Sequence, residues 1–357
     1  MLTDRPLQLE VLVNSPGPHD QVRVRDPFLA LQRLGVDCRI HERPFRFNSC
    51  IRPHSLVIWQ RPLPESRQRQ WEHLQWLRQR GCLLLTEWDD HPDLFPEPVR
   101  RKLQAMQWAP LELCHGLHSS SPALVTALRR LQPLGLVLDN LVADPPPLAR
   151  PKHRHQPVRV LIANQNRRAE HHSLVQQLRV WLAQSSEVQL VVIGDQELCR
   201  ALPPGRVEAH PLLNYQAYRA VLASCQIALL PLLASAENDC KTPIKLLECA
   251  AESVATVSGP GLYERWASPG CSWVVTALEE VVPAAMVLAC DVQRRLTLVE
   301  QAHQWVCSQW SLEGGLPWRH WLYQQLWKRR SQLDQRLVER LHRAAGLPAM
   351  TADAFVH

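Results

Sequence analysis

Leu229–Glu264, LLPLLASAENDCKTPIKLLECAAESVATVSGPGLYE, gathers the side chains best placed for chemistry. A buried strand ends in proline, a polar loop follows over Ala236–Lys241, and a helix is predicted over Ile244–Glu252. Pro243 is expected at the first helical position, where its missing N–H costs nothing. Lys245 and Glu248 are three residues apart and so share one helical face near the N-terminus. Free N–H groups and the helix dipole make that end a natural phosphate site. Lys245 would add a full positive charge there, and Glu248 could accept hydrogen bonds from two ribose hydroxyls. The competing reading is an exposed Lys–Glu pair, worth only tenths of a kcal/mol. The position directly after a sheet strand favours the ligand reading, because open α/β sheets bind ligands beyond the carboxyl ends of their strands.

Two other clusters carry candidate chemistry. Asp89, Asp90 and His91 follow the apolar run CLLLTEW. They could contact an acceptor or donor sugar, and a carboxylate pair could also act as a base or hold a metal. The structural alternative is an Asx-turn or N-cap leading into Pro92. His118 with Ser119–Ser121 invites a nucleophile reading, but no G-x-S-x-G elbow surrounds them, and Ser121-Pro122 reads as a helix start.

The elements that must position these residues alternate. Residues 9–14, 55–60, 82–88 and, more weakly, 116–121 read as strands, with helical periodicity over 27–35, 65–81 and 122–131 between them. Residues 143–157, ADPPPLARPKHRHQP, break the pattern and are expected to form an extended linker. Strands then resume at 158–164, 188–194, 206–210, 226–232, 253–259 and 272–275, with helices near 170–183, 214–224, 243–252 and 276–289. Two α/β sheets in tandem are predicted, with a cleft between them. The tail is helical and rich in tryptophan; the stripe of Trp310, Trp318, Trp321 and Trp327 reads first as a packing face.

Composition narrows the class. The 357 residues suit two domains, and a net charge of +6 is too modest to imply a nucleic-acid partner. The eleven cysteines are scattered without a C-x-x-C, which reads as reduced, buried thiols in a cytoplasmic protein. The first residues do not resemble a signal peptide, and no run reaches the ~20 apolar residues of a membrane span. Peripheral attachment at the inner face of a membrane stays open. No G-x-G-x-x-G follows a strand, which disfavours an NAD-binding oxidoreductase.

N-D-x-K-T-P-I-K-x-L-E-x-A-A followed by V-A-T-V-S-G resembles the donor-site segment of GT-B glycosyltransferases of the glycogen-synthase-like group. More closely, it is similar to the bacterial branch with N-x-x-K-[ST]-x-x-K-x-x-E in place of E-x7-E. The resemblance implies two Rossmann-like, doubly wound domains facing a cleft: 1–142 for the acceptor, a linker at 143–157, 158–312 for the nucleotide sugar, and 313–357 as helices packing partly back on the first domain. It implies sugar transfer from a nucleoside-diphosphate sugar to a hydroxyl of a glycan, lipid-linked or small-molecule acceptor, with retention, as in cell-surface polysaccharide biosynthesis. Lys245 would contact the diphosphate and Glu248 the ribose. Asn238 and Lys241 match the variant motif, while Cys240 falls where the first glutamate of E-x7-E would stand. Asn166 and Arg167, in VRVLIANQNRR, match the loop opening the donor domain, with Arg167 as a second phosphate cation; Gly194, in LVVIGD, matches the base-binding loop. No metal or cofactor is expected beyond the nucleotide sugar. A sugar-nucleotide epimerase and an inactive scaffold on the same fold are the alternatives.

Overall fold

The computed structural model describes residues 6–14, 16–45, 47–154, 157–163 and 167–344. These fall into two compact units. One comprises the chain up to Pro16, Val24–Asp139 and the chain from Leu316; the other comprises Asn140–Gly315 with the short Gly17–Arg23 segment.

The first unit carries a six-stranded, all-parallel sheet of β1 (Gln8–Val13), β2 (Asp37–Glu42), β3 (Leu56–Gln60), β4 (Leu83–Glu87), β5 (Gly116–Ser119) and β6 (Gly135–Val137), in the order β2-β1-β3-β4-β5-β6. Strands β3 and β4 are buried at every position. That burial explains the apolar runs Leu56–Trp59 and Leu83–Leu85 that open them, since a parallel sheet is covered on both faces. The order reverses between β1 and β3, so the carboxyl ends of those strands flank the switch point. The helices Leu312–Lys328 and Arg330–Ala344 end the described chain. They are fixed to the first unit by long-range polar contacts. The Tyr323 hydroxyl and His118 Nε2 are 3.1 Å apart, Arg319 donates to the Asp139 carbonyl at 2.9 Å, and Arg78 pairs with Asp334 at 2.5 Å. His118 is therefore a buried histidine tied to a tyrosine. Ser121 caps the helix Pro122–Ala127, its hydroxyl accepting from the Leu124 N–H, and the nucleophile reading gains no geometry.

The second unit repeats the plan with β7 (Val158–Ile162), β8 (Val188–Ile193), β9 (Val207–His210), β10 (Ile227–Leu230), β11 (Ala255–Ser258) and β12 (Trp273–Val274), in the order β12-β11-β10-β7-β8-β9. Every pairing is parallel. Alternate residues feed two apolar layers, one per face. Val158, Val160 and Ile162 pack with Leu174, Leu178 and Trp181, whereas Leu161 packs with Val191, Leu230, Leu246 and Trp305. The chain starts in mid-sheet, builds β7-β8-β9 to one side, then returns beside β7 with β10. The topological switch point lies between β7 and β10, where a doubly wound sheet binds its ligand.

Three expectations are corrected. The proline-rich stretch is not extended throughout: Pro151–Arg154 forms a 3-10 turn. Lys152 there donates to the carbonyls of Ala223 and Glu252 at 3.0 and 2.7 Å, capping two helix ends, and buried His153 meets the Ser253 carbonyl at 2.9 Å. Carbonyls left free at helix termini draw such donors inward. The tryptophan stripe divides, with Trp327 buried but Trp318 and Trp321 exposed. Of the cysteines, all free, Cys290 and Cys307 are exposed rather than buried.

Candidate functional site

The carboxyl end of β7 leads to Arg167, which stands at the N-cap of the helix Arg168–Gln184. Its guanidinium is clamped from two sides. Nη1 donates to Glu170 at 3.1 Å and to Asn238 Oδ1 at 2.9 Å, and it retains 13% side-chain exposure. Asn238 belongs to the loop after β10, so this one contact joins the two sides of the switch point. The rest of the Asn238 amide is engaged too, its Nδ2 donating to the Leu233 carbonyl at 2.8 Å. Ser235 caps the short helix Ala236–Asp239 by accepting from the Asn238 N–H at 3.1 Å. The loop is thus folded around Asn238, which holds Arg167 in place.

Lys241 is half-buried and closes the following turn through its N–H to the Asn238 carbonyl at 3.0 Å. The helix then runs Ile244–Ala251. Pro243 is the residue before it and not its first member, and no side chain caps this end. The leading N–H groups therefore lack the capping oxygen that a Ser or Asp would supply, which leaves them suited to an anion.

Glu248 is not half of an exposed ion pair. Its side chain is 3% exposed, and Oε2 accepts from the Tyr218 hydroxyl at 2.9 Å and from Lys245 Nζ at 3.2 Å. The Lys245 ammonium also sits 3.9 Å from the centroid of the Tyr218 ring, a cation–π contact, while its side chain keeps 36% exposure. Burial and the neighbouring carboxylate hold the Tyr218 phenol well above its ordinary pKa, so it stays a donor. One tyrosine thus orients both the carboxylate and the ammonium.

After β8, Gly194 adopts φ of +80°, and a Cβ there would meet nothing within 4 Å. The glycine is required by backbone conformation rather than by crowding. Asp195 next caps the helix Gln196–Ala201 and hydrogen-bonds buried His171 on the helix that begins at Arg168. At Gly259, after β11, the constraint is space, because a Cβ would lie 2.6 Å from the Leu232 N. The loops after β10 and β11 are pressed together there. Cys240 is buried, and burial raises its thiol pKa; it offers no carboxylate where E-x7-E would have one. Asn166 lies outside the described residues.

In the first unit, Asp89 and Asp90 converge on Arg61, just beyond β3. Arg61 Nε donates to Asp89 Oδ1 at 2.6 Å, and Nη2 reaches Asp90 at 3.2 Å. Asn14, after β1, donates to the Arg61 carbonyl at 3.0 Å, so this cluster spans that sheet's switch point. His91 is the N-cap of Pro92–Leu94, its Nδ1 accepting from the Asp93 N–H at 3.3 Å. That is the capping alternative weighed from the sequence.

No family model matches the chain, and no curated protein matches it in sequence. Solved structures do match in fold. HepE from Anabaena, solved with UDP and glucose, aligns with a TM-score of 0.62 at 12% identity, over 88% of this chain and 98% of its own. An alpha-glucosyltransferase solved with UDP-glucose and DNA containing an abasic site aligns at 0.66 and 8%, over 89% and 99%. WaaG, a glycosyltransferase of lipopolysaccharide biosynthesis, aligns at 0.55 and 13%, over 86% and 98%. The fold is GT-B.

Within that GT-B framework the sequence pointed to Arg167, Asn238, Lys241, Lys245 and Glu248, and to Asp89 and Asp90 in the first unit, but not to most of the residues that contact them or their neighbours. Glu170, Tyr218, His171 and Arg61 were missed. Tyr218 and Arg61 meet partners on other elements, 30 and 28 residues away, at spacings no local pattern encodes. Glu170 had a signal, being three residues beyond Arg167 in the first turn of a helix.

Proposed function

We propose that the chain is a glycosyltransferase that moves a sugar from a nucleoside-diphosphate sugar to a hydroxyl acceptor, with UDP as the first nucleotide to test. The observation that carries this reading is the pair of anchored cations, Arg167 and Lys245, at the β7/β10 switch point beside a helix N-terminus without a capping side chain. Support comes from fold neighbours solved with UDP or UDP-glucose.

The chemistry follows from charge. As the bond from the anomeric carbon to the diphosphate breaks, negative charge grows on the departing oxygen. Lys245, Arg167 and the N–H groups at the start of Ile244–Ala251 are fixed before the reaction, so they stabilise that charge without reorganising. Lys241 adds a nearby cation and Gly194 lets the backbone turn beside the base. Asn238 and Glu170 hold Arg167, and Tyr218 holds Glu248 for the ribose. Charge neutralisation by these side chains leaves a metal without a required role. Asp89, Asp90 and His91 are assigned to the sugar or acceptor, and retention of anomeric configuration is the proposed outcome.

The test is to incubate the protein with a panel of nucleotide sugars and hydroxyl acceptors, and to measure nucleoside diphosphate release and product. Because one fold neighbour was solved with DNA, the panel includes DNA alongside glycans, lipid-linked and small-molecule acceptors. Acceptor-dependent release supports the reading. Conversion of the donor sugar without any acceptor would replace it with epimerisation.

A further inference from the structure

The helix Leu312–Lys328 has two unlike sides. Leu316, Arg319, Tyr323, Leu326 and Trp327 are buried. On the other side Trp318 is 57% exposed and Trp321 47%, and their rings stack on each other with centroids 4.8 Å apart at 22°. At about 100° per residue, Pro317, Trp318, Trp321, Gln325 and Lys328 fall on one stripe. Exposed Arg329 follows directly, and the one acid of this helix, exposed Glu313, stands in its first turn, at the opposite end from Lys328.

A bare pair of the largest apolar side chains is rare on a surface that only meets water. Tryptophan is the residue most at home where bilayer meets water, its ring lying at headgroup level. Lys328 ends the helix beyond the tryptophans and Arg329 lies in the turn after it, and both complement anionic headgroups. A neutral sugar stacked on the rings would not need those cations, whereas an anionic lipid surface meets both features at once. Among the described residues no helix is long and apolar enough to cross a membrane, so this face would lie on the surface and not insert through it.

We propose that this stripe docks the protein on an anionic lipid bilayer, with Trp318 and Trp321 entering the headgroup region and Lys328 and Arg329 meeting lipid phosphates. Docking here is independent of which reaction the second unit performs.

The test is co-sedimentation of the full chain with vesicles of phosphatidylcholine alone and of phosphatidylcholine with phosphatidylglycerol. The protein is expected to partition onto the anionic vesicles at low salt and to be released as salt rises. Trp318→Ser with Trp321→Ser should lower partition about tenfold or more at an unchanged thermal midpoint. Lys328→Gln with Arg329→Gln should lower it about 25-fold, near fivefold for each cation removed. Equal partition onto both vesicle types, no partition at low salt, or wild-type partition by the double tryptophan variant would overturn the proposal. So would a wild-type dimer in solution that this variant abolishes, because the face would then be covered by a second copy.

Discussion

Tyr218→Phe removes one oxygen from the interior of the second unit and leaves the ring in place. The phenol donates to Glu248 Oε2 at 2.9 Å, inside a site where Tyr218 is 6% and Glu248 3% exposed. The ring still lies under the Lys245 ammonium, so the cation–π contact at 3.9 Å survives and only the carboxylate loses a partner. A hydrogen bond to a charged acceptor contributes about 1.5–3 kcal/mol. Lys245 continues to hold the same oxygen, so a stability loss of about 1–2 kcal/mol is expected. Glu248→Gln removes the charge that both partners share. The two changes act on one oxygen, and their stability losses should fall short of additivity by about 1 kcal/mol. Urea unfolding of the wild type, both single variants and the double variant measures that coupling. On the proposed donor role, Tyr218→Phe also lets the carboxylate turn, raising the Kd for UDP roughly fivefold, or about 1 kcal/mol, with kcat less affected. Strict additivity in the cycle, or a Tyr218→Phe protein as stable as wild type, would refute the shared-oxygen argument.

Asn238→Ala should lower turnover about tenfold by releasing Arg167, and Arg167→Ala about a hundredfold; the double variant should be no worse than Arg167→Ala, measured by diphosphate release. Asp89→Asn should lower turnover while leaving the calorimetric Kd for UDP within about twofold, since that cluster is assigned to sugar or acceptor and not to the diphosphate. Buried His153, beside Lys152 and Arg295, has its pKa lowered to about 4 by desolvation first and the Lys152 charge second. The unfolded chain takes up a proton near pH 6.5 that the folded chain refuses until about pH 4. Stability should therefore fall as pH drops through that window, by on the order of 1–2 kcal/mol at pH 5. His153→Gln should flatten this dependence in urea unfolding at pH 7.5 and 5.

How much of this was legible in the sequence depended on where each element sits. Strands β3, β4, β7, β8 and β10 are buried along nearly their whole length and are mostly apolar, so their predicted spans fell within a residue or two of the observed bounds. Strands β2 and β6 went unread. Both are edges of the first sheet, and DCRIHE and GLV are too exposed or too short to show an apolar run. Lys245, Glu248 and their helix were legible because local spacing sets a helical face. Tyr218 beneath Lys245 was not, because the neighbouring helix Tyr215–Ala223 supplies it. In ADPPPLARPKHRHQP, proline content masked the fact that Lys152 and His153 turn inward to carbonyls. Trp318, Trp321 and Trp327 differ in exposure although all three lie on one helix, and only packing decides which of them is covered.

The central claim is that Lys245, with Arg167, holds the diphosphate of a nucleotide sugar at the β7/β10 switch point. Calorimetric titration of UDP into the wild type and Lys245→Ala, with both proteins shown folded by circular dichroism, tests it most directly. The account predicts saturable binding to the wild type at one site per chain, and binding at least about tenfold weaker to the variant, as expected for loss of a charge-assisted phosphate contact. No binding of UDP or any other nucleoside diphosphate to the wild type, or equal affinity in a folded Lys245→Ala protein, would contradict it.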